Sequence, residues 1–220
     1  MDDGSRDTDE SIAMLEALRS QGVDTVIATP HFYANDESVT EFLERREASY
    51  GKLISACPEN APRIVKGAEV RYYPGISRMA ELGKLRIEGS RLLLLEMSMT
   101  HWTEYTVKEI IELSSTKGIR LLLAHIERYM NMQNAKVWDR LYENGVLMQV
   151  NASFFTGFTT KRKALRLLSN GGIHFIGSDC HNMSTRPPRL CGAFEIIEDK
   201  LGGDFLNRMD EYGRSVLVKK

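Results

Sequence analysis

The chain has 220 residues, 42% apolar and 27% charged, with a formal net charge of -1. That length buries a substantial core, and the near-neutral balance excludes a bulk nucleic-acid or membrane-surface footprint. Three cysteines (Cys57, Cys180, Cys191) are too few for a disulfide framework, and the longest apolar run, Leu92 to Leu95, is too short to cross a bilayer. No secretory pattern precedes the first helix, so a cytoplasmic protein without membrane insertion is expected.

Helical and strand patterns alternate along the chain. Ile12, Leu15 and Leu18 fall on one helical face, and Gly22 stops that helix. VDTVIATPH reads as a buried strand ending at His31. A helix from about Ser38 to Ala56 follows, closed by Pro58. RIVKGAEVRYYPG predicts strand then turn, and ISRMAELG a short helix. RLLLLEM is too short for most helices and reads as a buried strand. TEYTVKEIIELSSTKG is helix, IRLLLAH strand, NAKVWDRLYENG helix, VLMQVNAS strand, KRKALRLLSNGG helix and IHFIGSDCH strand. Two helices flank LGG at the end. Six apolar strands alternating with helices predict a parallel α/β sheet or barrel. Such an architecture starts on a strand, and this chain starts on a helix, so an upstream strand is expected.

The residues that close the strands carry the chemistry: His31, Glu69, Glu96, His125, Asn151, and Asp179 with His181. In α/β folds these ends share one face, where active sites lie. A lone His there is more often a satisfied polar residue. Five of six strands ending in His, Asp or Glu point to a site. Glu69 and Glu96 end apolar strands, where an unpaired carboxylate is costly, and the nearby cations are Arg71 and Arg128. Imidazoles and carboxylates without a thiolate suit Mn, Fe or Zn. More than four ligands implies more than one ion, an arrangement suited to phosphate-ester hydrolysis. Arg128, three residues past His125, and Arg186, five past His181, are forks suited to phosphate.

With these residues in hand, the chain resembles the PHP superfamily. More narrowly, it is similar to the manganese-dependent bacterial protein-tyrosine phosphatases of capsule and exopolysaccharide loci. The matching stretches are DDGSRD, ATPHFY, GAEV, LLLLEM, LLAHIERY, VNASF and GSDCHN, from residue 2 to about 190. The resemblance implies one phosphatase domain over residues 1–220, folded as a distorted (β/α)7, TIM-like barrel whose first strand is absent from this chain. It implies metal ligands at Asp3, His31, Glu69, Glu96, His125, Asp179 and His181, with Glu69 bridging two ions, and two or three Mn²⁺ (Fe or Zn as alternatives). Arg128 and Arg186, with Asp179, match the catalytic and phosphate-holding positions. The implied substrate is phosphotyrosine on the tail of a bacterial kinase, hydrolysed directly by a metal-bound hydroxide. The oligomeric state is left open.

The family begins with a strand ending in His-x-His, and this chain has none; its histidines are 31, 101, 125, 174 and 181. MDDGSRD therefore reads as mid-loop, with about ten residues expected upstream. Either Met1 is an internal Met or the gene is shortened, the first being preferred. The resemblance ties one metal ion, and activity with it, to that segment.

A rival lies in CHNMSTR, where Cys180 and Arg186 have the C-x5-R spacing of cysteine-dependent tyrosine phosphatases. The loop has no Gly, and Asp179 opposes a thiolate, so Cys180 is read as a small buried residue. Other readings keep the barrel but change the substrate to a small phosphomonoester such as histidinol phosphate, or make the chain a non-catalytic metal- or kinase-binding remnant. A metal nuclease is disfavoured by the charge. His174 reads as packing, His101 and Trp102 as a loop, and KRKALRLL as a solvated face. Cys57 and Cys191 read as structural. Asn151 is expected to orient ligands or substrate.

Overall fold

A computed structural model describes residues 3–217. Met1, where the sequence reading places an internal start, and Asp2 of the DDGSRD stretch lie outside the described residues. The strands are β1 (Thr25–Ala28), β2 (His31–Phe32), β3 (Arg63–Lys66), β4 (Glu69–Arg71), β5 (Leu92–Glu96), β6 (Arg120–Leu123), β7 (Leu147–Asn151) and β8 (Phe175–Gly177). The helices are α1 (Thr8–Ser20), α2 (Val39–Ala56), α3 (Glu104–Ser115), α4 (Ala135–Glu143), α5 (Ser153–Thr156), α6 (Lys161–Ser169), α7 (Cys191–Leu201) and α8 (Gly203–Leu217). All strand pairs are parallel, in the order β2-β4-β5-β6-β7-β8, with β1 and β3 paired separately.

The first two expected strands are each broken in two. VDTVIATPH divides at Pro30, which has no N–H to give a ladder, although its carbonyl still accepts from Glu69 N at 3.0 Å. RIVKGAEV divides at Gly67, where a Cβ would stand 3.1 Å from Thr29 Cγ2 and 3.2 Å from Ile87 Cγ1. Glycine lets the chains approach that closely. The register survives both breaks: Ala28 opposes Lys66, and His31 opposes Glu69.

Side chains alternate across the sheet. Leu93, Leu95, Leu121, Leu123, Met148 and Val150 join the core under the helices. Leu92, Leu94, Leu122, Ala124 and Leu147 point the other way and form a second cluster with Val65, against which Val216 and Leu217 of α8 pack. Two apolar faces on one parallel sheet make a curled half-barrel with its own interior. The expected distorted (β/α)7, TIM-like architecture takes the form of this half-barrel, with β2 and β8 as the edges of the main sheet among the described residues. Side-chain bonds span the two edges. Gln21, just after α1, donates to Pro188 O at 3.0 Å and accepts from Leu190 N at 2.7 Å. Glu10 of α1 accepts from Arg6 N at 2.9 Å and Met183 N at 3.2 Å, which fixes the N-terminal loop beside the loop after β8.

Helix starts follow their caps. Ser38 and Glu41 form a capping box on α2, and Asp7, Thr103 and Asn134 cap α1, α3 and α4. Gly202, at φ 89°, turns the chain between α7 and α8. The short helix expected over ISRMAELG is instead two 3-10 turns, Ile76–Arg78 and Leu82–Leu85. The cause is Glu109 of α3, buried at 3% exposure. Its Oε1 accepts from Gly75 N at 2.8 Å and Ser77 N at 3.3 Å, and its Oε2 from Tyr72 O–H at 2.7 Å. Burial, with the Glu109 bond second, pushes the Tyr72 phenol up to about 12. Glu109→Ala strands these donors inside the protein and is expected to cost about 3 kcal/mol, read as a fall in urea midpoint. A loss below about 1 kcal/mol would show the clamp to be ornamental.

Candidate metal and phosphate site

The strand interior changes character at its C-terminal end. Below lie leucines; above them the same inward parity delivers Glu69, Glu96 and Asn151, each about 6% exposed. His125 and Asp179 follow β6 and β8 with φ of 31° and 50°. Non-glycine residues in this left-handed region are held there by their surroundings, a condition concentrated at functional sites. His125 N–H donates to Gln149 Oε1, which helps hold that backbone.

Asp3, His31, Glu69, Glu96, His125, Arg128, Asp179 and Arg186 line one cavity of about 410 Å³. His181, the remaining residue singled out in the sequence, stands beside it, with Nε2 3.5 Å from Asp3 Oδ2 and its ring centroid 6.0 Å from that of His31. Its Nδ1 lies 3.0 Å from Asp179 O. His125 Nε2 is 2.8 Å from Glu69 Oε1 and 3.4 Å from Glu96 Oε1. His31 Nδ1 is 3.3 Å from Asp3 Oδ1.

Two groups of ligand atoms fall within 4.8 Å of one another: Asp3, His31 and His181, and His31, Glu69 and Glu96. His31 belongs to both, so the groups are contiguous. Buried carboxylates cost several kcal/mol each unless neutralised. His125 Nε2 faces two carboxylate oxygens but has one bond to give, and its Nδ1 is buried without a partner among the described residues. A divalent cation suits this oxygen- and imidazole-rich donor set.

The arginines are already bound to these carboxylates. Asp179 Oδ2 accepts from Arg186 Nη2 at 2.6 Å, from Asn151 Nδ2 at 2.8 Å and from Arg128 Nη2. Asn151 therefore orients Asp179, as expected for a polar strand end. Arg71 Nη1 donates to Glu96 Oε2 at 2.6 Å. Glu127 is a buried neighbour: burial pushes its carboxyl up, Oε1 accepts from Asn151 N at 3.3 Å, and Oε2 has no hydrogen-bond partner among the described residues.

Cavity-lining Tyr33 was not singled out in the sequence, and Arg71 only as a neutralising cation. Period-two counting from His31 and Glu69 reaches both. Cys180 packs against the apolar core, and burial pushes its thiol up, the reverse of a nucleophilic thiolate. Arg186 turns to Asp179 instead. Trp102 is buried; His101 is exposed, its Nδ1 2.9 Å from Met132 O. His174 is half-buried, with burial lowering its pKa, and its Nδ1 accepts from Met148 N at 3.1 Å.

The family model for capsular polysaccharide synthesis, CpsB/CapC, matches residues 1–213. The chain is 29% identical over 223 residues to tyrosine-protein phosphatase YwqE of Bacillus subtilis, covering 99% of this chain and 87% of that protein. It is 31% identical over 220 residues to tyrosine-protein phosphatase CpsB of Streptococcus pneumoniae, covering 92% and 87%. Among solved structures it is similar, with a TM-score of 0.83 and 27% identity over 99% of this chain and 90% of the other, to one from a study of YwqE from Bacillus subtilis and CpsB from Streptococcus pneumoniae. Those two proteins are described there as unique metal-dependent tyrosine phosphatases.

Proposed function

We propose, because the chain belongs to the CpsB/CapC family of capsular polysaccharide synthesis, that it is a metal-dependent phosphatase acting on phosphotyrosine. Its substrate in this reading is the tail of a bacterial tyrosine kinase that governs capsule or exopolysaccharide synthesis. The observation that carries the reading is one cavity holding imidazoles, carboxylates and three arginines, chemistry matched to a phosphate beside cations.

Asp3, His31, Glu69, Glu96, His125, Asp179 and His181 would hold two or three ions, Mn²⁺ first among candidates. When bound, the ions supply Lewis acidity and lower the pKa of water. Arg128 and Arg186 bind the phosphate oxygens as charged forks. Asp179, itself held by Asn151, fixes those guanidinia at the cavity, so the substrate phosphate meets donors already in place. We read residues 1–220 as one such domain working in the cytoplasm; no helix among the described residues is long and apolar enough to cross a membrane.

The test is phosphate release from a phosphotyrosyl peptide with Mn²⁺. Turnover is expected to need Mn²⁺, to stop with chelator, and to survive Cys180→Ser within about threefold, because a thiol pushed up by burial is not the nucleophile. Turnover that ignores chelator and vanishes in Cys180→Ser would reverse the assignment.

A further inference from the structure

Two residues that line the cavity, Tyr33 and Arg71, are assigned no metal or phosphate of their own. His31 and Glu69 oppose one another in register across β2 and β4. Two residues on, with the same inward parity, come Tyr33 and Arg71. The intervening Phe32 and Val70 are fully buried on the helix-covered face. Tyr33 and Arg71 therefore form a second inward row, and both line the cavity.

Tyr33 lies on the His31 imidazole with ring centroids 5.5 Å apart and planes 13° from parallel, yet the residue is 39% exposed. An aromatic ring that lines the cavity and is partly open to solvent can offer its exposed surface to a substrate ring. Arg71 is anchored at one nitrogen by Glu96, opposite it in register, and its side chain keeps 34% exposure. Arg128 and Arg186 both converge on Asp179, after β6 and β8. The phosphate-binding forks thus come from the loops after β6 and β8, and an aromatic face with a planar cation comes from the ends of β2 and β4.

An alkyl phosphate presents nothing to that aromatic face. An aryl ester presents a ring that can stack on Tyr33 and lie against a guanidinium plane. We propose that Tyr33 and Arg71 are specificity-determining residues that bind the aromatic ring of an aryl phosphate monoester, so that the site selects phosphotyrosyl over phosphoseryl and phosphothreonyl esters. The inference rests on the phosphatase reading and deepens it by naming what selects the leaving group.

Phenylphosphonate and methylphosphonate carry the same head group and are not hydrolysed. Calorimetry with the full chain and Mn²⁺ is expected to show tighter binding of the phenyl compound. Tyr33→Ala should weaken phenylphosphonate about fivefold and leave methylphosphonate within twofold, whereas Tyr33→Phe should keep the preference. Arg71→Lys, which retains charge beside Glu96 but loses the plane, should lower the same ratio. In kinetics, the phosphotyrosyl-to-phosphoseryl ratio of kcat/KM should fall by the same factor in Tyr33→Ala, through KM. Equal weakening of both phosphonates would mean that Tyr33 only supports His31, and would overturn the proposal; so would an unchanged ratio or a wild type with no phenyl preference. A wild type that prefers the phenyl compound but turns over neither peptide would remove the phosphatase reading and leave the ring binding standing.

Discussion

Asp179→Asn is expected to lower kcat on a phosphotyrosyl peptide by about a thousandfold, the upper range for losing one preorganised electrostatic partner. One oxygen, Oδ2, accepts from Arg128, Arg186 and Asn151. The amide keeps the shape but loses the charge, and it can place an N–H where an acceptor stood. Two guanidinia 30% and 37% exposed then lose their shared anchor and relax toward solvent. The substrate phosphate must order them at its own expense. The same carboxylate belongs to the proposed ligand set, so bound Mn²⁺ should fall as well. Near-isosteric size and a position above the leucine interior predict an unchanged far-UV spectrum. Full activity with full metal content in this variant would remove Asp179 from the site altogether.

Much of that site is visible in the sequence because strand ends obey a simple rule. LLLLE reads as a strand with a carboxylate at its tip, and β5 is buried along its whole length. His125, Asn151 and Asp179 are found by the same counting. What is hidden depends on contacts far apart in sequence. The break at Gly67 is set by Thr29 and Ile87, and neither is a local signal. The 3-10 turns after Gly75 follow from Glu109, more than thirty residues on. The helical pattern of ISRMAELG is real but loses to that clamp. α8 shows an amphipathic pattern with no buried residue of its own; its last residues pack on the half-barrel interior, which exists only once the sheet has curled. Arg128 and Arg186 could be assigned to the active face, but their meeting on one oxygen requires the loops after β6 and β8 to be in place.

The metal-free protein carries a cost at the same place, and metal loading should read as stability. Glu69 and Glu96 are each 6% exposed, crowded on the single imidazole of His125, with Arg71 bonded to one of them. A cation that binds the folded chain and not the unfolded one stabilises it by about 2.7 kcal/mol at a hundred times its Kd. For a chain of this length that is a rise in Tm of about 5–10 °C, to be measured by calorimetry with Mn²⁺ against chelator. Glu69→Gln should flatten that rise to less than a third. In chelator it should stay within about 1 kcal/mol of wild type, because the amide oxygen still accepts from His125 Nε2 where Glu69 Oε1 now does. Stabilisation that depends on the charge of Glu69, and not on its shape, separates a ligand from a buried hydrogen-bonding partner. An undiminished Mn²⁺ shift in Glu69→Gln would place the ions elsewhere. A matching collapse in Glu96→Gln, alongside intact shifts in Glu109→Gln, would locate them between β4 and β5, because Glu109 is equally buried but satisfied by protein donors alone.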